Sequence, residues 1–284
     1  MISVLNNVSS LIAENALSAT QTSLQNSFTQ LSTGLKLNSG SDDPAAISIA
    51  NGLGANIAAL TQSSQNASNG AGLLQTADGA LSQVTTLLNQ AVTIATEAAN
   101  GGLTVAQQTA AANQFQSILN EIGQIGSTTN FNGVSVFSNT AVGIFTTDGT
   151  SGGSTTTDVL TGDLSLTGTS AVSADLTALQ ADVTGGATAP TGLAATTVDD
   201  VTAAIAQVAA TRGTIGASVN QLTADSNVEN TEVTNLTSAQ NNVQNADIGS
   251  TVANLSQYSV LQQTGMAALQ QSNAAEQNVL KLLQ

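Results

Sequence analysis

The chain has 284 residues, with three Lys+Arg against eighteen Asp+Glu for a net charge of −15, and it has no His and no Cys. That leaves no imidazole base, thiolate nucleophile, disulfide or zinc knuckle, and with only Lys36, Arg212 and Lys281 as cations it cannot neutralise a nucleic-acid backbone or bind an anionic membrane surface. Charged residues are 7% of the chain and aromatics 2%, against 41% hydrophobic; an ordinary soluble domain carries roughly 25% charged residues, so either much of this surface of amides, hydroxyls and glycine is covered by other molecules, which points to assembly, or the protein works where charge is not needed.

Met1 to Asn7 has no basic n-region and no sustained apolar run, and no stretch approaches the roughly 18 apolar residues of a membrane span. Neither a cleaved signal peptide nor membrane insertion is expected. Leu17, Leu24, Phe28, Leu31 and Leu35 then keep helical spacing. Asp43 reads as an N-cap with Pro44 at the first helical position, where its missing N–H costs nothing. From there Leu53, Leu60, Ala67, Leu74, Leu81, Leu88 and Ala95 recur every seventh residue, with Ala77, Val84, Ala91 and Ala98 as a second row. This predicts one helix over about 44–99, stopped by Asn100-Gly101-Gly102. Thr104 and Gln107 form a capping-box pattern, and Ala112, Phe115, Leu119 and Ile122 mark the apolar face of a returning helix.

Residues 139–196 shift to Thr, Gly, Ser and Asp, with Asn132-Gly133, Asp148-Gly149 and Gly152-Gly153 as turn signals. Short strands are expected at 142–146, 156–160 and 163–167, and one short helix on Val172, Leu176, Leu179 and Val183. A third long helix is expected from about 199 into the 240s, with Val201, Val208, Ile215, Leu222, Leu236 and Val243 on one row and Ile205, Val219 and Val233 on the other. A seam sustained at this spacing predicts a left-handed coiled coil. Toward the C-terminus Ile248, Val252, Leu255, Tyr258, Met266, Leu269, Val279 and Leu282 keep helical spacing with gaps. Both ends are therefore amphipathic helices with little charge, whose apolar stripes need partners.

Asp42-Asp43 beside Pro44, and Asp199-Asp200 after Thr197, read as helix caps favoured by the helix dipole rather than as metal or acid/base pairs. No catalytic, cofactor-binding or metal-binding constellation is expected, and so no cofactor. The Asn-x-Ser/Thr matches at Asn66, Asn235 and Asn254 fall on expected helices and carry no glycosylation signal.

The run Leu31-Ser32-Thr33-Gly34-Leu35-Lys36-Leu37-Asn38-Ser39-Gly40-Ser41-Asp42-Asp43-Pro44-Ala45-Ala46 resembles the N-terminal signature of bacterial flagellins, as do Ala98-Ala99-Asn100 and Asn130-Phe131-Asn132-Gly133. Leu261 to Leu269 and Gln277 to Leu283 resemble the terminal helix of that family, and Arg212 to Val219 its returning core helix. The resemblance covers roughly 1–140 and 197–284. It implies a mainly α fold, a long antiparallel helical coiled-coil rod built from both chain ends with a small β-hairpin element in the middle. The inner core domain would be 1–42 with 245–284, the rod 43–138 with 197–244, and 139–196 a short variable segment of the rod with no full outer domain. Thr251 and Glu276 depart from the family's frequent Glu and Pro.

The function so implied is a structural subunit that polymerises into the flagellar filament for motility, outside the cell, its terminal helices ordering on assembly. A hook–filament junction protein is the alternative. Self-assembly falls to Leu17, Leu24, Phe28, Leu31, Leu35, Val252, Leu255, Tyr258, Met266, Leu269, Val279 and Leu282. The implied partners are further copies of the chain, an export chaperone, and cap and junction proteins. At the end of the long helix, Gln90 stands where the family carries an Arg recognised by a vertebrate Toll-like receptor, with Ile94 one turn on and Gln114 on the returning helix as further receptor-facing residues.

Overall fold

Asp43 starts the long helix as its position before Pro44 requires: its Oδ1 accepts from the amides of Ala45 (3.1 Å) and Ala46 (3.0 Å). This computed structural model describes residues 8–138, 141–147, 154–159, 164, 174, 176–179 and 195–282. The elements are α1 (Val8–Thr33), α2 (Pro44–Ala98), α3 (Val105–Thr128), β1 (Asn130–Phe131), β2 (Val134–Ser135), β3 (Val142–Thr147), β4 (Ser154–Val159), a short helical stretch α4 at 176–179, α5 (Ala195–Gln244) and α6 (Ile248–Leu282). They form two compact units, Met1–Ala55 with Asn235–Gln284, and Asn56–Thr234.

In the second unit the heptad rows are the core. Leu60, Ala67, Leu74, Leu81, Leu88 and Ala95 of α2 are fully buried, as are Ala77, Val84 and Ala91. From Ala67 onward these rows meet Phe115, Leu119 and Ile122 of α3 and Val201, Val208, Ile215 and Leu222 of α5 in one cluster. The α2 and α5 contacts run antiparallel: Ser63 meets Glu229, and farther along α2, Asp78 meets Arg212. Hydroxyl groups on these helices are satisfied without charge. Thr61, Thr85 and Thr223, for example, donate to the carbonyl four residues back, at 2.7–2.8 Å. The capping box that starts α3 is complete, Gln107 N donating to Thr104 Oγ1 and Thr104 N to Gln107 Oε1.

Arg212 reaches Asp78 as a fork, Nε to Oδ1 at 2.7 Å and Nη2 to Oδ2 at 3.2 Å. This hydrogen-bonded guanidinium holds the Asp78 carboxyl below its ordinary range. The lowered value means the pair's contribution is present at neutral pH and fades as acid protonates the carboxylate. Both side chains are more than a third exposed, so that contribution is a few tenths of a kcal/mol, roughly.

The turn signal at Asn132-Gly133 becomes a two-residue hairpin turn, with φ of 51° and 79°, joining β1 to β2 with Phe131 opposite Val134. β3 pairs antiparallel with β4 from Val142↔Val159 to Thr147↔Ser154. The strands expected at 142–146 and 156–160 are thus present as 142–147 and 154–159. β3 alternates: Ile144 and Thr146 are buried, while Phe145 is 51% exposed. Ile144 seats on a notch in α2, since a Cβ on Gly70 would lie 2.3 Å from its Cδ1. Leu164 fills a like notch at Gly126 of α3, where a Cβ would lie 2.7 Å from the Leu164 Cβ.

Leu164 is described and is not in a strand; the rest of the strand expected at 163–167 lies outside the described residues. Of the short helix expected on Val172, Leu176, Leu179 and Val183, Leu176 and Leu179 are helical and fully buried, and the two valines lie outside the described residues. The capping role expected for Asp199-Asp200 is corrected. Helix α5 begins at Ala195, which puts Thr197, fully buried, and both aspartates inside the helix, beyond the free amides that a cap would satisfy.

Candidate assembly surface

The first unit is built on the two terminal helices, and its turns are held by backbone. α1 ends at Thr33 because Gly34 takes the left-handed conformation (φ 73°) and donates to Gln30 O at 2.8 Å. Lys36 N then donates to Gln244 O at 2.7 Å and Ala246 N to Gly34 O at 2.9 Å, tying the exit of α1 to the exit of α5. Asp42 Oδ2 accepts from Asn38 N and Ser39 N at 2.9 and 2.8 Å, closing the loop that leads into Asp43 and α2. Gln240 Nε2 donates to Ala50 O at 3.2 Å, over Gly54, where a Cβ would lie 3.0 Å from that nitrogen.

Asp247 caps α6, its Oδ1 accepting from Gly249 N (2.9 Å) and Ser250 N (3.3 Å). Thr251 is buried, its hydroxyl donating to Asp247 O at 2.8 Å.

α1 and α6 pack antiparallel along their length. Ser10 Oγ donates to Asn273 Oδ1 at 3.0 Å, and Leu17 lies on Gly265, where a Cβ would be 3.4 Å from its Cδ1. Leu17, Leu24, Leu31, Leu35, Leu255, Tyr258 and Leu269 are half-buried. Phe28 (63% exposed), Val252 (44%) and Met266 (43%) face outward. The side chains of Val279 and Leu282 lie outside those described.

A further set escaped the reading by seams: Leu11 and Ile12 on α1, and Val260 and Leu261 on α6, all among the exposed large apolar side chains. Their signal was adjacency. Two apolar residues side by side on a helix stand about 100° apart, so each pair widens the apolar surface beyond a narrow seam.

In the second unit Gln90 and Gln114 are exposed and Ile94 is half-buried. Gln90 and Ile94 are one turn apart on α2. Among the described residues no group of three or more acidic, His or Cys side chains could hold a metal, and no helix is long and apolar enough to cross a membrane.

Low charge, long helices and a terminal pair with apolar surface on its outside are the makeup of a protein that packs against other molecules. Residues 4–142 match the bacterial flagellin N-terminal helical region and 198–283 the bacterial flagellin C-terminal helical region, and the chain belongs to the bacterial flagellin family. It is 32% identical over 350 aligned positions to flagellin of Serratia marcescens, covering 100% of both chains, and 37% identical over 139 residues to flagellin 1 of Proteus mirabilis, covering 49% of this chain and 38% of that one. A crystal structure of Bacillus cereus flagellin is similar at a TM-score of 0.43 and 24% identity, over 58% of this chain and 88% of that one. The chain is therefore a structural protein, not an enzyme, and a subunit of the extracellular flagellar filament that polymerises with copies of itself. Flagellin matches at both ends do not favour the junction-protein alternative.

Proposed function

We propose that the outward apolar faces of α1 and α6 are the surfaces that neighbouring subunits bury in the filament, and that folding of the ends is completed by that burial. The observation that carries this reading is the exposure of Ile12 (63%), Phe28 (63%) and Val260 (59%) on helices nearly devoid of charge. Burial yields about 25 cal/mol per Å² of apolar area against a cost of about 1–2 kcal/mol per ordered residue, so ordering and assembly are coupled. In this reading 1–42 with 245–284 is the assembly domain and 43–138 with 197–244 the helical domain; 139–196 is a short segment of it, with no full outer domain. The same proposal has the chain exported without a cleaved signal peptide and handled by an export chaperone, a cap and junction proteins. Seeded polymerisation followed by electron microscopy tests the assignment. Deleting 1–35 or 250–284 is expected to leave soluble helical protein, whereas deleting 148–153 is expected to leave filaments; tubes from the terminal deletions would refute it.

The same reading makes Gln90, Ile94 and Gln114 a weak receptor surface. An Arg at the Gln90 position could make bidentate, charge-assisted contacts that a neutral amide cannot reproduce, and loss of an interface hot-spot Arg costs about 2 kcal/mol or more, roughly thirtyfold in affinity. Gln90→Arg is expected to raise the potency of the monomer in a reporter-cell titration by about tenfold or more. No gain, or a wild-type response already equal to that of an Arg-bearing flagellin, would remove these residues from the receptor surface.

A further inference from the structure

The α5 seam runs Val201, Val208, Ile215, Leu222 and then Glu229, before Leu236 and Val243 restore it. Glu229 is 5% exposed. Its Oε1 accepts from Ser63 Oγ of α2, and Ser63 Oγ in turn accepts from the backbone amide of Thr147, the last residue of β3, at 2.8 Å. A buried carboxylate is thus connected through one hydroxyl to the β3–β4 hairpin. Beside it Ser64, Ser226 and Asn230 complete a polar layer, with Ser64 Oγ and Ser226 Oγ 2.8 Å apart and Asn230 Nδ2 donating to Ser64 Oγ at 3.1 Å.

The layer is not fully satisfied. Glu229 Oε2 is buried with no hydrogen-bond partner among the described residues. On its own helix Asp225 and Glu232 both oppose its ionisation. On α2 the nearest charged residue is Asp78, four turns farther on and already paired with Arg212. β3 contributes no titratable side chain, and β4 contributes Asp158, opposite Gly143 in the register. No cation on the elements that pack against Glu229 therefore compensates its charge. Burial first, then the two neighbouring carboxylates, push the Glu229 carboxyl above its ordinary range, against the Ser63 and Thr147 hydrogen bonds that favour the charged form.

We propose that Glu229 is a proton-operated latch on the β3–β4 hairpin, protonation seating the hairpin on α2 and α5 and ionisation loosening it. A neutral carboxyl can stay in the seam with its carbonyl oxygen accepting from Ser63. An ionised one relieves its stranded Oε2 by turning out to water, which takes the acceptor from the Ser63 O–H; that hydroxyl is then no longer held in place and its grip on the Thr147 amide loosens. The sign follows from the raised value: stability from this group is fully present in mild acid and lost as pH rises through the folded value. Asp78 acts the other way, at lower pH. The latch belongs to the folded subunit and does not depend on the assignment of the assembly faces.

The Thr147 amide reads the latch directly. Hydrogen exchange of residues 142–147 is measured in the full-length monomer at pH 5 and pH 8, corrected for the intrinsic pH dependence of exchange. Wild type is expected to lose about tenfold in protection between the two, about 1.4 kcal/mol of opening free energy. Glu229→Gln, which keeps an uncharged acceptor for Ser63, is expected to be equally protected at both. Ser63→Ala, which keeps the carboxylate and cuts the relay, is expected to be poorly protected at both. The proposal is overturned if wild type shows no pH dependence, or if either variant keeps the wild-type dependence. Should Glu229→Gln fail to show helical circular dichroism, the Ser63→Ala comparison decides on the same terms.

Discussion

Ile12→Asp combined with Val260→Asp is expected to abolish filament formation while leaving the monomer as helical as wild type. Both side chains stand on the outside of the α1–α6 pair, 63% and 59% exposed, so in the monomer each new carboxylate remains in water and costs little. In a filament that covers these faces the same groups become buried charges without partners, at several kcal/mol each. With every 1.4 kcal/mol worth about tenfold in an association constant, two such charges raise the concentration needed for growth by about a thousandfold or more. Gln83→Asp, on an exposed position of α2 in the 56–234 unit, controls for added negative charge. Leu17→Asp separates two effects, because Leu17 packs on Gly265 within the subunit and its loss should reduce monomer helicity as well. Sedimentation and electron microscopy after seeding read the outcome, and normal growth of the double variant would exclude these faces from the subunit contacts.

The helices were legible because their seams are simple. Leu60 to Ala95 recur every seventh residue without interruption, and each of these positions is fully buried. Asp43-Pro44 and Thr104 with Gln107 located two helix starts within a residue, since a cap is a local chemical event between neighbours in sequence. The start of α5 was missed by a turn because no capping residue marks Ala195, and the aspartates that resemble a cap fall inside the helix.

What the pattern concealed is more instructive for function. A search for apolar recurrence passes from Leu222 to Leu236 and treats the gap as a lapse. The gap is Glu229, the one position of the seam where the helices hold a charge-capable group against the hairpin. Its partner Ser63 lies 166 residues away in the chain, and no local rule connects them. In the same way a single stripe per terminal helix accounts for Leu17 and Leu24 but not for Leu11-Ile12 or Val260-Leu261, whose surplus over one stripe is the surface left for other copies. Hairpin seating was equally nonlocal. Gly70 and Gly126 look like helix-weakening residues until Ile144 and Leu164 are found against them.

Phe115→Ala is expected to be the most destabilising single truncation in the 56–234 unit. Among the described residues Phe115 is the largest of the fully buried side chains, and α3 brings it into a cluster shared with the α2 and α5 seams. Removing its ring deletes apolar contact and leaves a cavity that long, laterally constrained helices cannot easily close, so the cost falls at about 3–5 kcal/mol. For a unit of this size each kcal/mol moves the melting midpoint by about 2–4 °C, which puts the expected shift near roughly 10 °C. Phe145→Ala supplies the comparison within the same molecule: that ring is 51% exposed on the outer side of β3, so its removal should move the midpoint by about 2 °C at most. Calorimetry of the monomers measures both. Equal shifts for the two phenylalanines, or a shift of only a degree or two for Phe115→Ala, would show that the packing of α3 against the seams contributes little to holding the unit together.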